Sequence, residues 1–398
     1  MTNSFLPYGQ HSVDDDDIAA VVDVLKNGAL TCGPKIDEFE QAFAEEIGAG
    51  HAVVVSNGTT ALHLALLASG FKSGDTAIVP TVTFLSTANA VIMAGGNVQF
   101  ADVCPDTGLL TVETLDEALK RAVGPVTAVL PVHLTGQTCD MQKIKPYADS
   151  KNITIISDCC HALGAEYKSG GRPGDGRFEE LACYSLHPVK SIAMGEGGVV
   201  TTNSREQAER MRLLRSHDMR KQPEQFSIPT QAFDQNGDPN PWYYEMHELA
   251  YNYRATDFQC ALALSQLKKL PVFMKRRREL VEIYDRLFAG MSNLIVPNMR
   301  MADSSSAWHL YAVKVNFKAL GIERAAFMRE LMARGIGTQV HYIPVHRQPY
   351  YVAKYGLQDL PGADAYYEQT LSLPLFPAMS DNDPNRVFDA IQEIIDSQ

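Results

Sequence analysis

The sequence predicts an α/β protein with a mainly parallel sheet between two layers of helices, followed by a smaller α+β region. Between residues 52 and 158, short apolar runs alternate with helical patterns. These runs are uniformly apolar rather than alternating, which is typical of parallel strands buried on both faces. After residue 310 the order of strands and helices is less regular. We therefore predict a large α/β domain over residues 1–250 and a small C-terminal α+β domain over residues 251–398.

The first elements are two helices. Acidic residues 14–17 suit the positive end of a helix dipole. The predicted apolar face of this helix consists of Ile18, Val21, Val22 and Leu25. A second helix is predicted to start at Gly33-Pro34, with apolar residues at helical spacing. Strands are then predicted at 52–55, 76–79, 97–101, 126–132 and 153–156, with helices at 61–68, 86–94, 112–122 and 141–150.

The second half begins with two short strands, around Tyr184 and at 199–202, and continues into a long irregular stretch. Residues 213–248 are rich in Pro, Gln and Asn, and a loop of this length is usually functional or mobile. Helices are predicted at 256–270 and 272–291, and basic residues 275–278 are interpreted as a solvated helix face. Strands at 310–315 and 338–342 and helices at 325–334 and 383–395 complete the chain.

Composition excludes several classes of function. A formal net charge of -12 argues against non-specific binding to nucleic acid or to an anionic membrane. No apolar run approaches the roughly 20 residues that a membrane span requires. The N-terminus lacks the pattern of a signal peptide, and the seven cysteines show no metal-ligand spacing. We expect a cytoplasmic protein without a structural metal.

Ligands of such sheets bind beyond the carboxyl ends of the strands. The candidates there are residues 57–60 and 80–85, His133, Asp158 and Ser185. The most informative stretch is 182–202, where Lys190 lies between two short strands, with Pro188 before it and a Gly-rich turn at 195–198 after it. A lysine held in this way is predicted to form a Schiff base with pyridoxal 5′-phosphate (PLP).

PLP also requires an acid at its ring nitrogen and an aromatic side chain over its ring. Asp158 ends an apolar strand, where a carboxylate needs a partner, and a pyridinium N–H is a suitable one. His161 is expected either to bond Asp158, to face the phenolic oxygen of the cofactor, or simply to pack in the core. Phe84 is the candidate for ring stacking, with a core phenylalanine as the alternative.

The cofactor phosphate requires a cradle of N–H and hydroxyl groups. Gly58 and Thr59 lie between a strand and a helix, where backbone N–H groups bind phosphate. An ordinary threonine cap is the alternative. Ser185, five residues before Lys190, is expected to add a hydroxyl. Residues 251–254, YNYR, fit a loop that meets a ligand or another subunit better than they fit a core.

These residues resemble the DegT/DnrJ/EryC1/StrS family of sugar aminotransferases, of PLP fold type I. The resemblance covers nearly the whole chain and includes SNGTTALHLAL, SDCCHALGAEYKSG, SLHPVKSIAMGEGGVVTT, YNYRATDFQCALALSQLKKL and GIGTQVHYIPVHRQPYY. It implies a large domain with a seven-stranded sheet. It also implies that Lys190 binds PLP, that Asp158 is the ring acid, and that Phe84 stacks on the ring.

Further positions follow from the same resemblance. Gly58, Thr59 and Ser185 match its phosphate site. Asn252 matches a residue that reaches the phosphate from the neighbouring subunit, which implies a homodimer with shared active sites. His187 and Arg254 are expected to position groups of the amino donor or the sugar.

Within the family, the chain looks most like the enzymes of the pseudaminic acid pathway. These aminate the C4 ketone of a UDP-linked 4-keto-6-deoxy-N-acetyl-L-sugar with L-glutamate as donor. In that subgroup, contacts to the nucleotide sugar match Tyr8, Gly28, Ala29, Leu30, Thr31, Gln339, Val340, His341 and Tyr342. The resemblance thus implies that the N-terminal segment 1–34 lies near the substrate site, and we expect loop 222–241 to close over the sugar or the nucleotide.

The chain departs from the family pattern at a few positions. Ser157 replaces the usual Glu, and Cys159 and Cys160 replace two alanines, all with small side chains. Asp218 stands where glycine is usual, which puts the following loop in doubt.

Several alternatives remain. The same fold and cofactor could act on another nucleotide keto-sugar, such as a UDP-D-series, GDP- or dTDP-sugar. Related dehydratases carry His at the lysine position, and idle regulatory homologues usually lose the lysine or the ring acid. Lys190 and Asp158 argue against both. SNGTTA also lacks the G-x-G-x-x-G pattern of a nicotinamide dehydrogenase.

Overall fold

The computed structural model of the protein describes residues 5–291 and 294–397. Residues 1–4, 292, 293 and 398, which the predicted domain ranges include, lie outside the described residues. The strands are β1 His51–Val55, β2 Thr76–Pro80, β3 Asn97–Ala101, β4 Val126–Val129, β5 Thr154–Asp158, β6 Glu166–Tyr167, β7 Leu181–Ser185, β8 Gly198–Thr202, β9 Ile295–Pro297, β10 Ser304–Ser305, β11 Tyr311–Val315 and β12 Thr370–Leu373.

Helices flank the strands in nearly regular alternation through the first half of the chain. They are α1 Asp15–Asn27, α2 Pro34–Ile47, α3 Gly58–Ala68, α4 Leu85–Met93, α5 Val112–Arg121, α6 Met141–Ser150, α7 Arg205–Leu214, α8 Pro229–Ala232, α9 Asp257–Phe288, α10 Phe317–Leu320, α11 Arg324–Ala333, α12 Pro349–Tyr355, α13 Pro361–Gln369 and α14 Asp383–Asp396. Across the described ranges, no helix is both long enough and apolar enough to cross a membrane.

The central sheet has seven strands in the order β1-β8-β7-β5-β4-β2-β3. β8 runs antiparallel to β1 and β7, and the other neighbouring pairs are parallel. The mainly parallel sheet predicted from the uniformly apolar strands is therefore confirmed. Apolar cores cover both faces, one beneath α3 to α6 and the other beneath α2 and the first half of α9. As a result, the carboxyl ends of β1, β2, β4, β5 and β7 share one edge.

The first helix begins as predicted, but its predicted apolar face is wrong. Asp14 caps α1 by accepting hydrogen bonds from the N–H groups of Asp16 and Asp17. Ile18 and Leu25 are 53% and 56% exposed, respectively. The buried positions of α1 are Asp17 and Val24, and the helix packs on α9 with the Asp17 carboxylate 2.8 Å from Lys269 Nζ. An ion pair to a buried carboxylate, together with a single valine, thus orients this helix in place of the predicted apolar face.

The two helices predicted at 256–270 and 272–291 form one helix, α9, with Pro271 inside it. Proline removes one backbone hydrogen bond, but its fixed φ is compatible with a helix. Leu270 and Met274, on either side of the proline, are buried, and this packing keeps the helix continuous. The first half of α9 packs in the sheet core, and its second half packs in a separate core with β11, β12 and α14.

The C-terminal region is built on the antiparallel sheet β12-β11-β9. The strand predicted at 338–342 does not form. Gln339 makes a single antiparallel bridge with Ser372. The chain then leaves the sheet, and residues 339–343 line a cavity instead. The domain boundary at residue 250/251 stays a prediction.

Candidate active site

A cavity of about 710 Å³ lies at the carboxyl edge of the sheet, against the C-terminal region. The predicted site residues that line it are Tyr8, Gly58, Thr59, Phe84, Asp158, His161, Ser185, His187, Lys190, Gln339, Val340, His341 and Tyr342. The predicted residues that do not line it are Gly28, Ala29, Leu30, Thr31, Asn252 and Arg254. The sheet edge thus brings together residues that lie more than 300 positions apart.

The turn where β1 leads into α3 has the groups that a phosphate cradle requires. Asn57 caps the helix by accepting a hydrogen bond from the Thr60 N–H, so α3 begins at Gly58, three residues earlier than predicted. The N–H groups of a first helical turn have no partner within the helix and favour an anion. A Cβ added at Gly58 would lie 2.9 Å from the Ser185 Cβ. The helix N-terminus and the Ser185 hydroxyl can therefore address the same phosphate.

Gly198, at the start of β8, lets this cradle close. A Cβ at Gly198 would lie 2.3 Å from the Asn57 carbonyl oxygen and 2.9 Å from the Gly58 nitrogen. A glycine is needed here because two backbone segments touch. The Gly-rich turn after Lys190 thus provides close backbone packing beneath the phosphate site.

Lys190 lies in the segment that joins β7 to β8. Its backbone N–H donates to the His187 carbonyl at 2.8 Å. Within the described chain, its Nζ has no hydrogen-bond or ion-pair partner. Burial lowers the pKa of this amine and outweighs the opposing effect of Cys160 and Asp158. A neutral amine is the form that attacks an aldehyde or accepts a proton.

Asp158 ends β5 and is 4% exposed. Its Oδ2 accepts a hydrogen bond from Thr87 Oγ1 at 2.8 Å, and its Oδ1 accepts one from the Cys160 N–H at 3.1 Å. No cation of the described residues lies within ion-pair distance of this carboxylate. A pyridinium N–H supplies the positive partner that such a buried carboxylate requires.

His161 is held in one tautomer by its neighbours. Its Nδ1 accepts a hydrogen bond from the Thr135 N–H at 3.2 Å, so the neutral ring carries its proton on Nε2. Nε2 lies 3.0 Å from the Tyr342 hydroxyl and donates to it. Burial, with Lys190 and His341 nearby, lowers the pKa of His161 well below its usual value. Of the three expectations for this histidine, a bond to Asp158 is therefore excluded.

Phe84 caps α4 and extends into the cavity. Its side chain is 55% exposed, and its ring centroid lies 6.1 Å from that of Tyr342. An exposed phenylalanine at a cavity wall is available to cover an aromatic ligand. The alternative of a core phenylalanine is therefore wrong.

Two residues of the site were missed at the sequence level. Thr87 orients Asp158, and His309 lines the cavity with its ring centroid 4.3 Å from that of His161. Neither is marked by a motif, because both act through contacts between distant segments. His133, named as a strand-end candidate, is fully buried away from the cavity, and its Nδ1 accepts from the Cys139 N–H.

Asp218 does not disturb the loop that follows it. Its backbone is left-handed, with φ 49°, which explains why glycine also suits this position. The carboxylate accepts hydrogen bonds from Arg220 Nε at 2.9 Å and from the backbone N–H groups of His247 and Glu248 at 2.7 and 2.9 Å. Asp218 therefore holds the two ends of the long loop together. An aspartate in place of the usual glycine is compatible with the structure of this loop.

The far part of the same loop is organised by Glu245. Its carboxylate accepts hydrogen bonds from the backbone N–H groups of Ser227 and Ile228 and lies 2.6 Å from His247 Nε2. Burial would raise the pKa of Glu245, but His247 and Ser227 outweigh it and lower the pKa. Residues 222–241 thus form a folded excursion rather than an extended loop.

The cavity fits PLP in four respects. It contains an unpaired amine, a buried carboxylate without a cation, a helix N-terminus in contact with a serine hydroxyl, and an exposed aromatic ring. Together with the mainly parallel seven-stranded sheet, these features define a PLP-dependent enzyme of fold type I.

Comparison with known proteins narrows this class. A model of the DegT/DnrJ/EryC1/StrS aminotransferase family matches residues 11–392, and the chain belongs to this family. The spore coat polysaccharide biosynthesis protein SpsC of Bacillus subtilis is 39% identical over 397 residues, covering 99% of this chain and 98% of that protein.

Solved structures agree with this assignment. Helicobacter pylori PseC, an aminotransferase involved in the biosynthesis of pseudoaminic acid, has a TM-score of 0.88 and 28% identity over 99% of this chain and 100% of its own. Spr1654 of Streptococcus pneumoniae, which has been solved in PLP and PMP forms, has a TM-score of 0.86 and 26% identity in both, over 99% of this chain and 99% and 98% of the respective Spr1654 chains. The protein is therefore a PLP-dependent sugar aminotransferase.

Proposed function

We propose that the protein transfers the amino group of L-glutamate to C4 of UDP-2-acetamido-2,6-dideoxy-β-L-arabino-hexos-4-ulose, a step of pseudaminic acid biosynthesis. The observation that carries this proposal is the similarity to PseC over the full length of both chains. The cavity supports it, because Tyr8 and residues 339–342, the positions expected to contact the nucleotide sugar, share one space with Lys190.

Lys190 and Asp158 perform the proton chemistry of this reaction. When bound, PLP accepts the amino group and stabilises the negative charge that develops at the carbon losing its proton. Lys190 Nζ would hold the cofactor, and as a free amine it would move that proton as general base and as general acid. Its lowered pKa favours the neutral amine that a general base requires. The Asp158 carboxylate would keep the ring nitrogen protonated.

The other cavity residues would bind the cofactor and orient the groups that react on it. Gly58, Thr59 and Ser185 would hold the phosphate, and Phe84 would cover the ring and exclude water. Because Nε2 of His161 already donates to the Tyr342 hydroxyl, the Tyr342 O–H is free to donate to an oxygen in the cavity.

The second candidate is another nucleotide keto-sugar. The observation in its favour is the relationship to SpsC, which is more similar in sequence at 39% than PseC is at 28%. SpsC is named for the biosynthesis of a spore coat polysaccharide, and this name does not refer to pseudaminic acid. The chemistry at Lys190 and Asp158 is the same for both candidates, and only the sugar and nucleotide differ.

Incubation with a panel of keto-sugars and L-glutamate separates the candidates. We expect the UDP-linked L-series 4-keto sugar to be aminated with kcat/KM at least about 100-fold above that for its D-series epimer and for dTDP- and GDP-linked 4-keto sugars. Product formation is followed by mass spectrometry, with 2-oxoglutarate as the second readout. A preference for any other sugar of the panel would replace the proposal with the second candidate.

We further propose a homodimer in which each subunit completes the active site of the other. Asn252 is exposed and lies outside the cavity of its own chain. Residues 28–31 also lie outside it, and the Asp257 N–H, five positions after Asn252, donates to the Leu30 carbonyl at 3.0 Å. Ile18, Leu25 and Leu30 are large apolar side chains that are exposed in this chain, and exposed apolar surface is typical of subunit contacts.

Subunit mixing tests this arrangement. We expect Lys190→Ala and Asn252→Ala homodimers each to be strongly impaired. Refolding them together should restore about a quarter of the wild-type activity, since half of the dimers then contain one site with both residues intact. If both residues belong to the same chain's site, the mixture will show only the mean of the two variants, which contradicts sharing.

A cytoplasmic location completes the proposal. All seven cysteines are unpaired, including exposed Cys32, and free thiols are typical of a reducing compartment.

A further inference from the structure

Arg277 differs from the other basic residues of the run at 275–278. The run was interpreted as a solvated face of α9, but Arg277 is only 2% exposed, so that interpretation is wrong at this position. Its neighbour Arg276 has the expected surface partners Glu279 and Asp381. No carboxylate in residues 5–291 or 294–397 lies within ion-pair distance of Arg277. A buried charge without a counter-ion is costly and requires an explanation.

The guanidinium of Arg277 binds backbone carbonyls instead. Its Nη1 donates to the carbonyl oxygens of Trp308, His309 and Leu375, at 3.1, 3.2 and 2.9 Å. Trp308 has φ 48°, a left-handed conformation that bulky residues rarely adopt. Such a backbone persists only where its surroundings fix it. Arg277 is therefore one of the groups that hold residues 308–309 in a strained conformation.

Residues 307–310 in turn fix a second strained segment beside the cavity. The N–H groups of Ala307 and Leu310 donate to the carbonyls of Gly136 and Thr135. Thr135 has φ 61° and Gly136 has φ 101°. A Cβ at Gly136 would lie 2.8 Å from the Trp308 nitrogen, so the two segments are in direct contact.

The segment of Thr135 and Gly136 contacts His161, and so does His309. The Thr135 N–H donates to His161 Nδ1, and the His309 ring lies against the His161 ring, with centroids 4.3 Å apart. A continuous set of contacts therefore runs from Arg277 through residues 307–310 to His161 and from there to the Tyr342 hydroxyl.

We propose that Arg277 is a positioning residue of the active site, which acts on His161 through the backbone of Trp308 and His309. Arg277 does not line the cavity. It keeps Thr135 and His309 in place, so that the His161 ring retains its orientation and its Nε2 proton points at Tyr342. All three bonds are made by Nη1, which donates to the converging carbonyl oxygens where a carboxylate would otherwise be expected.

Two substitutions test this role. Arg277→Met removes the donors, and Arg277→Lys retains the charge and a donor at this site. The control is Tyr284→Phe, which also lies on α9 and removes a buried bond to a carbonyl, that of Pro374, at 2.9 Å. Among the described residues, no hydrogen bond or ring contact joins Tyr284 to residues 307–310. The readouts are crystal structures of the cofactor-free variants, kcat and KM for both substrates, and the unfolding temperature.

We expect Arg277→Met to displace the rings of His161 and His309 in the cofactor-free crystal structure. Its kcat should fall about 10- to 100-fold, because the misplaced groups no longer meet the reacting atoms. Both KM values should stay within about threefold of wild type. Arg277→Lys should retain most of the wild-type kcat. If Arg277→Met does not fold, Arg277→Lys alone tests the proposal, and we then expect a smaller displacement of the His161 ring and a smaller loss of kcat than those given for Arg277→Met.

The control separates positioning from stability. Tyr284→Phe is expected to lower the unfolding temperature while leaving kcat and the His161 ring unchanged. The proposal is overturned if the folded Arg277 variants keep the wild-type position of His161, or if their kcat falls no further than that of Tyr284→Phe.

Discussion

Replacing Lys190 with alanine is expected to lower the rate of transamination by about four orders of magnitude or more, because one side chain supplies both the covalent partner of the cofactor and the proton carrier. The variant should also lose PLP on dialysis, since only non-covalent contacts at the phosphate and the ring remain. Visible absorbance of the dialysed protein and single-turnover formation of 2-oxoglutarate measure the two effects. In the wild type, borohydride reduction followed by peptide mapping should place the cofactor on Lys190.

The fold should tolerate this change. Lys190 Nζ forms no hydrogen bond or ion pair with the described residues, and burial already disfavours its charged form. The unfolding temperature of cofactor-free Lys190→Ala should therefore match that of the cofactor-free wild type. Lys72, an exposed lysine without a role in the site, is the control, and Lys72→Ala should be fully active. Retained turnover in Lys190→Ala would mean that another amine carries the proton.

Asp158→Asn is expected to reduce kcat by about 100- to 1,000-fold, the usual effect of removing one preorganised electrostatic group. Asparagine has nearly the same shape and can still accept the hydrogen bond from the Cys160 N–H. A neutral amide does not keep the ring nitrogen of the cofactor protonated, so electrons are drawn less strongly from the reacting carbon. Stopped-flow measurement of the half-reaction with L-glutamate isolates this chemical step.

The control for this change is an aspartate with a similar structural role away from the cavity. The Asp102 carboxylate accepts hydrogen bonds from the N–H groups of Gly362 and Ala363 at 2.8 and 2.7 Å, where α13 begins. Asp102→Asn leaves one acceptor oxygen in place of two, so it should cost about 1 kcal/mol of stability, the usual contribution of one hydrogen bond, and leave kcat unchanged. If Asp158→Asn affects only stability, Asp158 is not the ring acid.

Much of the sheet could be predicted because its strands are buried on both faces and therefore read as unbroken apolar runs. The prediction for β3 matches its observed bounds, and that for β5, at 153–156, misses the start by one residue and the end by two. The same reasoning fails where burial is polar. The side of α1 that faces α9 is determined in part by the ion pair between Asp17 and Lys269, and a search for apolar periodicity does not detect an ion pair. Likewise, Pro271 reads as a helix end, although tertiary packing carries α9 through it.

The candidate site was predictable where a residue stands at a fixed point of the fold, such as Asp158 at the end of β5 or Gly58 at the start of α3. Partners brought in by other segments were not. Thr87 orients Asp158 from α4, and His309 reaches His161 from 148 positions further along the chain. A single sequence carries no signal for such pairs, because each of these residues is unremarkable in its own neighbourhood.

The continuity of α9 has a consequence for how the enzyme opens. Because the two halves of this helix are anchored in different cores, the C-terminal region cannot swing away from the sheet as a body on a loose tether. Any such rotation must bend α9, and the least costly place is Pro271, where the ladder of backbone hydrogen bonds is already interrupted. Opening of the cavity on the side of the C-terminal region then requires a shallow flexing of one helix rather than a wide separation of two lobes.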